Sequence, residues 1–217
     1  NVTSTSLLYN SKIAVTENDD IKNIFTGRNI SVLDEILSII KKYEPAYQNI
    51  LKYILMSILH LCKITDKHSN SQWPLWIPKT DCVEKNIIDI YTKKIKKFYD
   101  VIPYMKENYA DSQIVESYNM LSPGKCLLMQ KGSQLITEQD IPNNGVDLII
   151  TDPPYLEQVL YSEYMQLYKP FFNLDYNLND EIIVSSAPSR NKNRENYFHL
   201  LDLVFNMCSQ KLKPNHY

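Results

Sequence analysis

Apolar side chains recur at helical spacing along the first half of the chain. Between about residues 31 and 112 they fall three or four positions apart in three successive segments. Ser31 is placed to cap the first helix, Pro45 to end it or begin the second, and Pro103 to kink or end the third. The predicted inward-facing positions are Leu33, Ile36, Leu37 and Ile40, then Ile50, Leu51, Ile54, Ile58 and Leu61, then Ile87, Tyr91, Ile95, Phe98 and Ile102.

From about residue 115 onward the pattern becomes one of alternating strand and helix. Two short runs, Lys125–Gln130 and Val146–Thr151, have the length and apolar content of strands, and the second resembles a buried strand of a parallel sheet. A helix is predicted over Glu157–Tyr168, in which Tyr161 could be a core residue and Glu163 could face solvent, or both could line a pocket. A closing amphipathic helix is predicted from Tyr197, Leu200, Leu201, Val204, Phe205 and Cys208.

The composition is that of a globular protein with room for one or two cores. Hydrophobic residues make up 44% and charged residues 22% of the 217 positions, so disorder is not expected. We predict a helical segment over residues 1–114 and an α/β domain over residues 115–217, with long loops over 66–81 and 173–193.

Charge and cysteine usage narrow the functional classes. The net charge of −2, from 23 basic and 25 acidic residues, argues against a free-standing nucleic-acid binder, although a partner domain could carry a basic groove. The four cysteines form no C-x-x-C pair and the four histidines are isolated, so no metal site is predicted. Without a membrane-length apolar run or a signal peptide, we expect a cytoplasmic protein with no membrane contact.

Asp152-Pro153-Pro154-Tyr155 follows the second predicted strand directly. Each proline forces the residue before it into an extended conformation and donates no backbone hydrogen bond. The result is a stiff corner that presents a carboxylate, an open carbonyl and an aromatic face, at the strand end where α/β sheets bind ligands. A simple turn after a strand is the alternative interpretation.

Thr151-Asp152-Pro153-Pro154-Tyr155 resembles the catalytic motif of amino-methyltransferases, which methylate the exocyclic amino group of adenine or cytosine in DNA. The resemblance extends in the same order to segments of one group of large bacterial DNA methylases. It implies a partial Rossmann-like S-adenosylmethionine-dependent methyltransferase sheet with few parallel strands, preceded by a helix-rich segment. The segments are Phe25-Thr26-Gly27-Arg28-Asn29, Ser57-Ile58-Leu59-His60, Trp76-Ile77-Pro78, Tyr161-Ser162-Glu163-Tyr164, Ser186-Ala187-Pro188-Ser189-Arg190 and Leu212-Lys213-Pro214.

The resemblance also implies a role for each residue of the corner. Asp152 and the Pro153 carbonyl would accept the two N–H bonds of the target amine, so that its lone pair can attack the methyl group. Pro154 would stiffen the corner, and Tyr155 would stack on the base after it leaves the duplex. The implied cofactor is S-adenosylmethionine, the implied partner is DNA, and adenine is favoured over cytosine. A bacterial restriction-modification enzyme is the context that this family suggests.

The cofactor site is the incomplete part of this pattern. The glycines, at positions 27, 124, 132 and 145, form no G-x-G turn, which leaves Asp152 and Ser133 as the cofactor-binding candidates. We therefore expect a fragment that is inactive or nearly so in isolation, completed by the remaining domains of a parent protein. Its truncated sheet edge could also support self-association.

Three cations at the end of the second long loop and directly after it are candidate phosphate contacts, namely Arg190, Lys192 and Arg194. Ordinary exposed charges are an equally good interpretation. RNA or cytosine methylation remains open, because the same corner fits any splayed base. Glutamine methylation is disfavoured, since those enzymes usually carry Asn where this chain has Asp152. A non-catalytic recognition or scaffold segment is the alternative from another class.

Overall fold

The computed structural model describes residues 20–67, 81–157, 159–188 and 190–215. The segment Trp76-Ile77-Pro78 and most of the predicted loop over 66–81 lie outside them. The helices are α1 Gly27–Ile40, α2 Pro45–Cys62, α3 Ile87–Tyr109, α4 Tyr161–Phe172 and α5 Arg194–Lys211, and the strands are β1 Thr65–Asp66, β2 Cys82–Val83, β3 Gln113–Val115 and β4 Lys125–Leu127.

Contacts divide the chain into two interleaved compact units. The first comprises Asn1–Ile102, Leu160–Leu178 and Ala187–Ser189, and the second comprises Pro103–Val159, Asn179–Ser186 and Arg190–Tyr217. The helix α4, which follows the Asp-Pro-Pro-Tyr corner in sequence, therefore belongs to the helical first unit.

The core of the first unit is built by α1, α2 and α4, with α3 packed against it. α2 begins at Pro45, one of the two predicted alternatives, because proline fits the first helical position. The side chains of Leu33, Leu55, Leu59 and Leu167 are completely buried, and Phe25 meets Phe171 edge to face at 5.4 Å between ring centroids. The predicted second helical stripe is confirmed at Ile54 and Ile58, whereas Ile50 is 41% exposed.

The start of α1 differs from the prediction. The capping side chain is Thr26, whose hydroxyl accepts from the Asn29 backbone N–H at 3.1 Å. Ser31 lies inside the helix and donates its hydroxyl to the Gly27 carbonyl at 3.0 Å. Both residue types can cap a helix, and Thr26 is the cap because α1 begins five residues before the start that a cap at Ser31 predicts.

The structure decides between the two interpretations of Pro103 in the third predicted helix. α3 continues through Pro103 to Tyr109, so the interpretation in which Pro103 ends it is wrong.

No described helix combines the length and the apolar content that crossing a bilayer requires.

Lys63, immediately after α2, is fully buried and gives the first unit a specific pH dependence. Burial, reinforced by the positive charge of Lys85, lowers the pKa of its ammonium from 10.5 to about 8. Between these values unfolding takes up a proton, so the free energy of unfolding should rise as the pH increases through this window.

The test is urea unfolding at pH 8 and pH 10 of the wild type and of Lys63→Met. We expect the variant to lose part of the rise, because other groups that ionise in this range are common to both proteins. Equal pH dependence in the two proteins would contradict the depressed pKa of Lys63.

The second unit contains a small parallel sheet. β3 and β4 pair in parallel with Gln113 opposite Lys125 and Val115 opposite Leu127. This sheet agrees with the predicted mixture of helix and strand. Two strands are too few to identify a Rossmann-like sheet, which therefore stays a prediction. β4 is shorter than the predicted strand Lys125–Gln130, and Leu128 just after it is 70% exposed.

The prediction of a strand over Val146–Thr151 is wrong. Only Val146 makes a β-bridge, parallel to Leu212, while Leu148 is 57% and Ile150 is 87% exposed. A buried parallel strand needs ladder partners at its edges and cover on both faces, and in the described residues this segment has neither beyond its first residue.

Candidate active site

The corner presents its carboxylate and its aromatic ring to solvent. Asp152 and Tyr155 are exposed, whereas Pro153 and Pro154 are half-buried. The Tyr155 hydroxyl donates a short hydrogen bond to Oδ1 of Asp152. The carboxylate and the aromatic ring predicted to act together are therefore neighbours on one surface.

The corner and the segment before it are held along α5. At one end the Tyr197 hydroxyl donates to the Pro154 carbonyl at 2.6 Å, and Tyr197 is only 6% exposed. At the other end the Val146 N–H donates to the Lys211 carbonyl, and the Lys213 N–H donates to the Val146 carbonyl, both at 2.9 Å.

The two anchor points show that the segment runs antiparallel to α5. The stretch of helix between Tyr197 and Lys211 spans about 21 Å at 1.5 Å per residue. The eight steps from Val146 to Pro154 cover about 26 Å if extended. The hydrogen bonds at the two ends of the segment therefore place the corner near the N-terminal end of α5.

The two proline carbonyls differ in their availability. The Pro154 carbonyl is occupied by Tyr197, but no donor in the described part of the chain reaches the carbonyl of Pro153. The carbonyl predicted to accept from a target amine is thus the one that remains open.

Leu156, directly after the corner, has left-handed backbone with φ of +40°. Such a conformation costs a side chain with a Cβ about 1–2 kcal/mol. The other non-glycine residues with positive φ in the described chain are all Asn or Asp, which tolerate it: Asp81, Asn144, Asn173, Asn191 and Asn215. The Leu156 carbonyl accepts from the Val184 N–H at 3.1 Å. This hydrogen bond holds the backbone in place where it changes direction.

This reversal explains why the helix predicted over Glu157–Tyr168 does not begin there. A left-handed residue cannot enter a right-handed helix, and α4 begins only at Tyr161. Its N-terminus therefore does not follow the corner directly as predicted. Tyr161 is 58% exposed and Glu163 is buried, so the interpretation of Tyr161 as a core residue and of Glu163 as facing solvent is wrong.

Removing the Tyr197 hydroxyl should loosen the corner. In Tyr197→Phe the Pro154 carbonyl loses its donor while the buried ring stays, so we expect a loss of about 1 kcal/mol in the free energy of unfolding. Urea unfolding would measure it, with Tyr99→Phe as the control because Tyr99 is 72% exposed. Equal stability of the two variants would contradict a structural role for this hydrogen bond.

The loop cations fall into two groups. Arg190 and Lys192 are buried, Arg190 with Nε 3.9 Å from Oε2 of Glu181 and Lys192 donating to the carbonyls of Asn179 and Glu181. Burial lowers the pKa of Lys192, against the opposing effect of Glu181 and Asp180. Both would have to leave these contacts to meet a phosphate.

Arg194 differs, because it is exposed in the first turn of α5. Asn193 caps this helix by accepting from the Asn196 N–H at 2.9 Å. Arg194 lies three residues before Tyr197 and so shares its face of the helix, toward the end that holds the corner.

The residues around Ser133 do not form a cradle for S-adenosylmethionine. Ser133 is exposed in a short turn, and a Cβ at Gly132 would meet the side chain of Gln134 at 2.9 Å. A Cβ at Gly145 would likewise meet the Tyr118 hydroxyl at 2.8 Å, so the space beside both glycines is filled by the chain itself.

One acidic group that follows this turn in sequence, Asp140, is already engaged. Asp140 accepts from Lys131 at 2.6 Å and from the backbone and hydroxyl of Thr137 at 2.8 Å. These hydrogen bonds, that of Lys131 first, lower the pKa of Asp140 to about 2. We therefore assign no cofactor contact to Ser133.

Two supports of the corner carry no recognisable signal in the sequence. Tyr197 reads as one of several apolar positions on the closing helix, and nothing in the sequence indicates the partner of its hydroxyl. Leu156 is an unusual residue for left-handed backbone, so no turn preference marks it.

Among the described residues, no three His, Cys, Asp or Glu side chains are grouped so that they could hold a metal ion. No family model, curated protein or solved structure matches the chain.

Proposed function

We propose that the Asp152–Tyr155 corner is the target-amine site of a DNA amino-methyltransferase that acts on adenine. The observation that carries the proposal is the arrangement of its acceptors. Asp152 is exposed, the Pro153 carbonyl is open, and the neighbouring Pro154 carbonyl is tied to Tyr197, which orients the corner.

The chemistry of an exocyclic amine calls for two acceptors of this kind. The lone pair of such an amine is delocalised into the ring, which makes it a poor nucleophile. Acceptance of both N–H bonds by Asp152 and Pro153 lets the nitrogen pyramidalise and stabilises the positive charge that develops during attack. No general base is needed to activate the nucleophile. The N–CH3 bond would form as the S–CH3 bond of S-adenosylmethionine breaks, and the methylated nitrogen would then lose one proton to Asp152 or to solvent.

Tyr155 changes its partner in this proposal. In the structure its hydroxyl bonds to Asp152, which leaves the second carboxylate oxygen and further lone pairs for an amine. When a base enters, the exposed ring stacks on it, and stacking of this kind is worth about 1–3 kcal/mol per base. Arg194, exposed at the same end of α5, is the phosphate contact that we retain.

S-adenosylmethionine is the methyl donor that we propose, with no residue of the described turns assigned to hold it. The finer fold proposal is a Rossmann-like sheet, to which the parallel pair of β3 and β4 would contribute. The remaining domains of a larger protein would then supply further strands and the cofactor turn.

The experiment is methyl transfer from labelled S-adenosylmethionine to unmethylated DNA and RNA, using the protein in its natural length. Tyr155→Phe should retain most of the activity because it keeps the stacking ring, and Tyr155→Ala should lose about tenfold or more. Transfer to RNA alone would mean that the substrate is RNA and not DNA. Absence of transfer to either nucleic acid would favour the scaffold interpretation.

A further inference from the structure

A cleft of about 430 Å³ opens in the first unit between α1, α2 and the C-terminal end of α4. Its volume is within the range of small-molecule sites. One part of its wall is apolar, formed by Leu37, Pro170, Phe171 and Phe172. Phe171 is 8% exposed and fixed by its edge contact with Phe25, so this wall is preformed.

The polar part of the wall is dominated by ammonium groups. Among the described residues, Lys41, Lys52 and Lys169 line the cleft, against the single carboxylate of Asp34. Lys169 is partly neutralised, because its Nζ lies 3.1 Å from Oδ1 of Asp175. Within the described chain, the ammonium groups of Lys41 and Lys52 make no ion pair or hydrogen bond.

Lys52 is the more informative of the two lysines. Lys41 follows the last turn of α1, where a cation is stabilised by the partial negative charge of the helix end. Lys52 belongs to the middle of α2, so no helix end accounts for it. A half-buried lysine beside an apolar wall, without a protein anion, is suited to an anion that arrives with a ligand.

We propose that this cleft binds a small organic phosphate, with Lys41 and Lys52 on the phosphate and an aromatic or apolar body against Pro170 and Phe172. Asp34 can accept from a hydroxyl or amino group of the ligand, and the Ser38 hydroxyl, which donates to the Asp34 carbonyl at 2.8 Å, retains acceptor capacity. A nucleoside phosphate has all three features. This site is independent of the Asp152 corner and of methyl transfer.

The test is calorimetric titration of the chain with ATP, inorganic tripolyphosphate and adenosine. We expect ATP to bind most tightly, because only ATP uses both the lysines and the apolar wall. Lys52→Ala should weaken ATP binding about tenfold, the loss typical of a charged hydrogen-bond partner. Lys41→Ala should weaken it in the same direction.

Lys42→Ala is the matched control, because Lys42 adjoins Lys41, is exposed and does not line the cleft. It should bind ATP like the wild type, and thermal unfolding of each variant would establish that it is folded. Failure of ATP to bind at millimolar concentration, or an equal effect of Lys42→Ala and Lys52→Ala, would overturn the proposal. Tripolyphosphate binding as tightly as ATP would overturn the role of the apolar wall.

Discussion

Replacing Asp152 with alanine should lower the rate of methyl transfer by at least about a hundredfold, the loss typical when one preorganised group that stabilises transition-state charge is removed. The carboxylate accepts from the amine most strongly when the nitrogen becomes positive, so the loss should fall on kcat more than on KM. Initial rates with labelled S-adenosylmethionine and unmethylated DNA would measure it. The exposed position of Asp152 means that the fold should tolerate the change.

Asp147→Ala is the matched control for this experiment. Asp147 lies five residues before Asp152 in sequence, and its Oδ1 lies 2.7 Å from Nζ of Lys213 at the surface. Its replacement should change the rate little, since a surface ion pair contributes about 0–1 kcal/mol. Equal rates for Asp152→Ala and the wild type would show that the corner does not take part in catalysis.

Replacing Leu59 with alanine should lower the free energy of unfolding by about 2–5 kcal/mol. Leu59 is completely buried in α2 within the core of the first unit. Removal of its methyl groups loses burial energy and leaves a cavity that the packed neighbours fill only in part. Urea denaturation followed by circular dichroism would measure the change.

Ile50→Ala on the same helix is the comparison for Leu59→Ala. Ile50 is 41% exposed, so its truncation removes less buried surface and should cost clearly less. Similar losses in the two variants would mean that α2 does not bury the face described here.

The helical part of the fold could be predicted because apolar periodicity reports directly which side of a helix is buried. The pattern located α1, α2 and α3, but their ends depended on single side chains. Thr26 rather than Ser31 caps α1, and Pro103 does not end α3, because local preferences compete with packing that a sequence does not display.

The strand part was harder to predict for a different physical reason. An apolar run such as Val146–Thr151 shows that a segment is suited to a sheet, but strands exist only where neighbours supply ladder hydrogen bonds. Val146 finds one neighbour in Leu212, and Ile150 has its side chain exposed. The run therefore makes a single β-bridge without becoming a strand.

The chemistry of the corner could be predicted from four consecutive residues because prolines restrict their own and the preceding backbone. Its supports could not, since Tyr197 and Val184 are distant in sequence and meet it only in the fold. Arg190 and Lys192 were indistinguishable from Arg194 in sequence, and burial separates them.

Mass spectrometry of digested nucleosides would show whether the corner methylates an exocyclic amine. Unmethylated DNA would be incubated with the protein in its natural length and S-adenosylmethionine carrying an isotopically labelled methyl group, then digested completely. We expect label in adenine methylated at its exocyclic nitrogen. Label on a ring carbon of a base, or in no nucleoside of DNA or RNA under conditions in which the protein is folded, would contradict it.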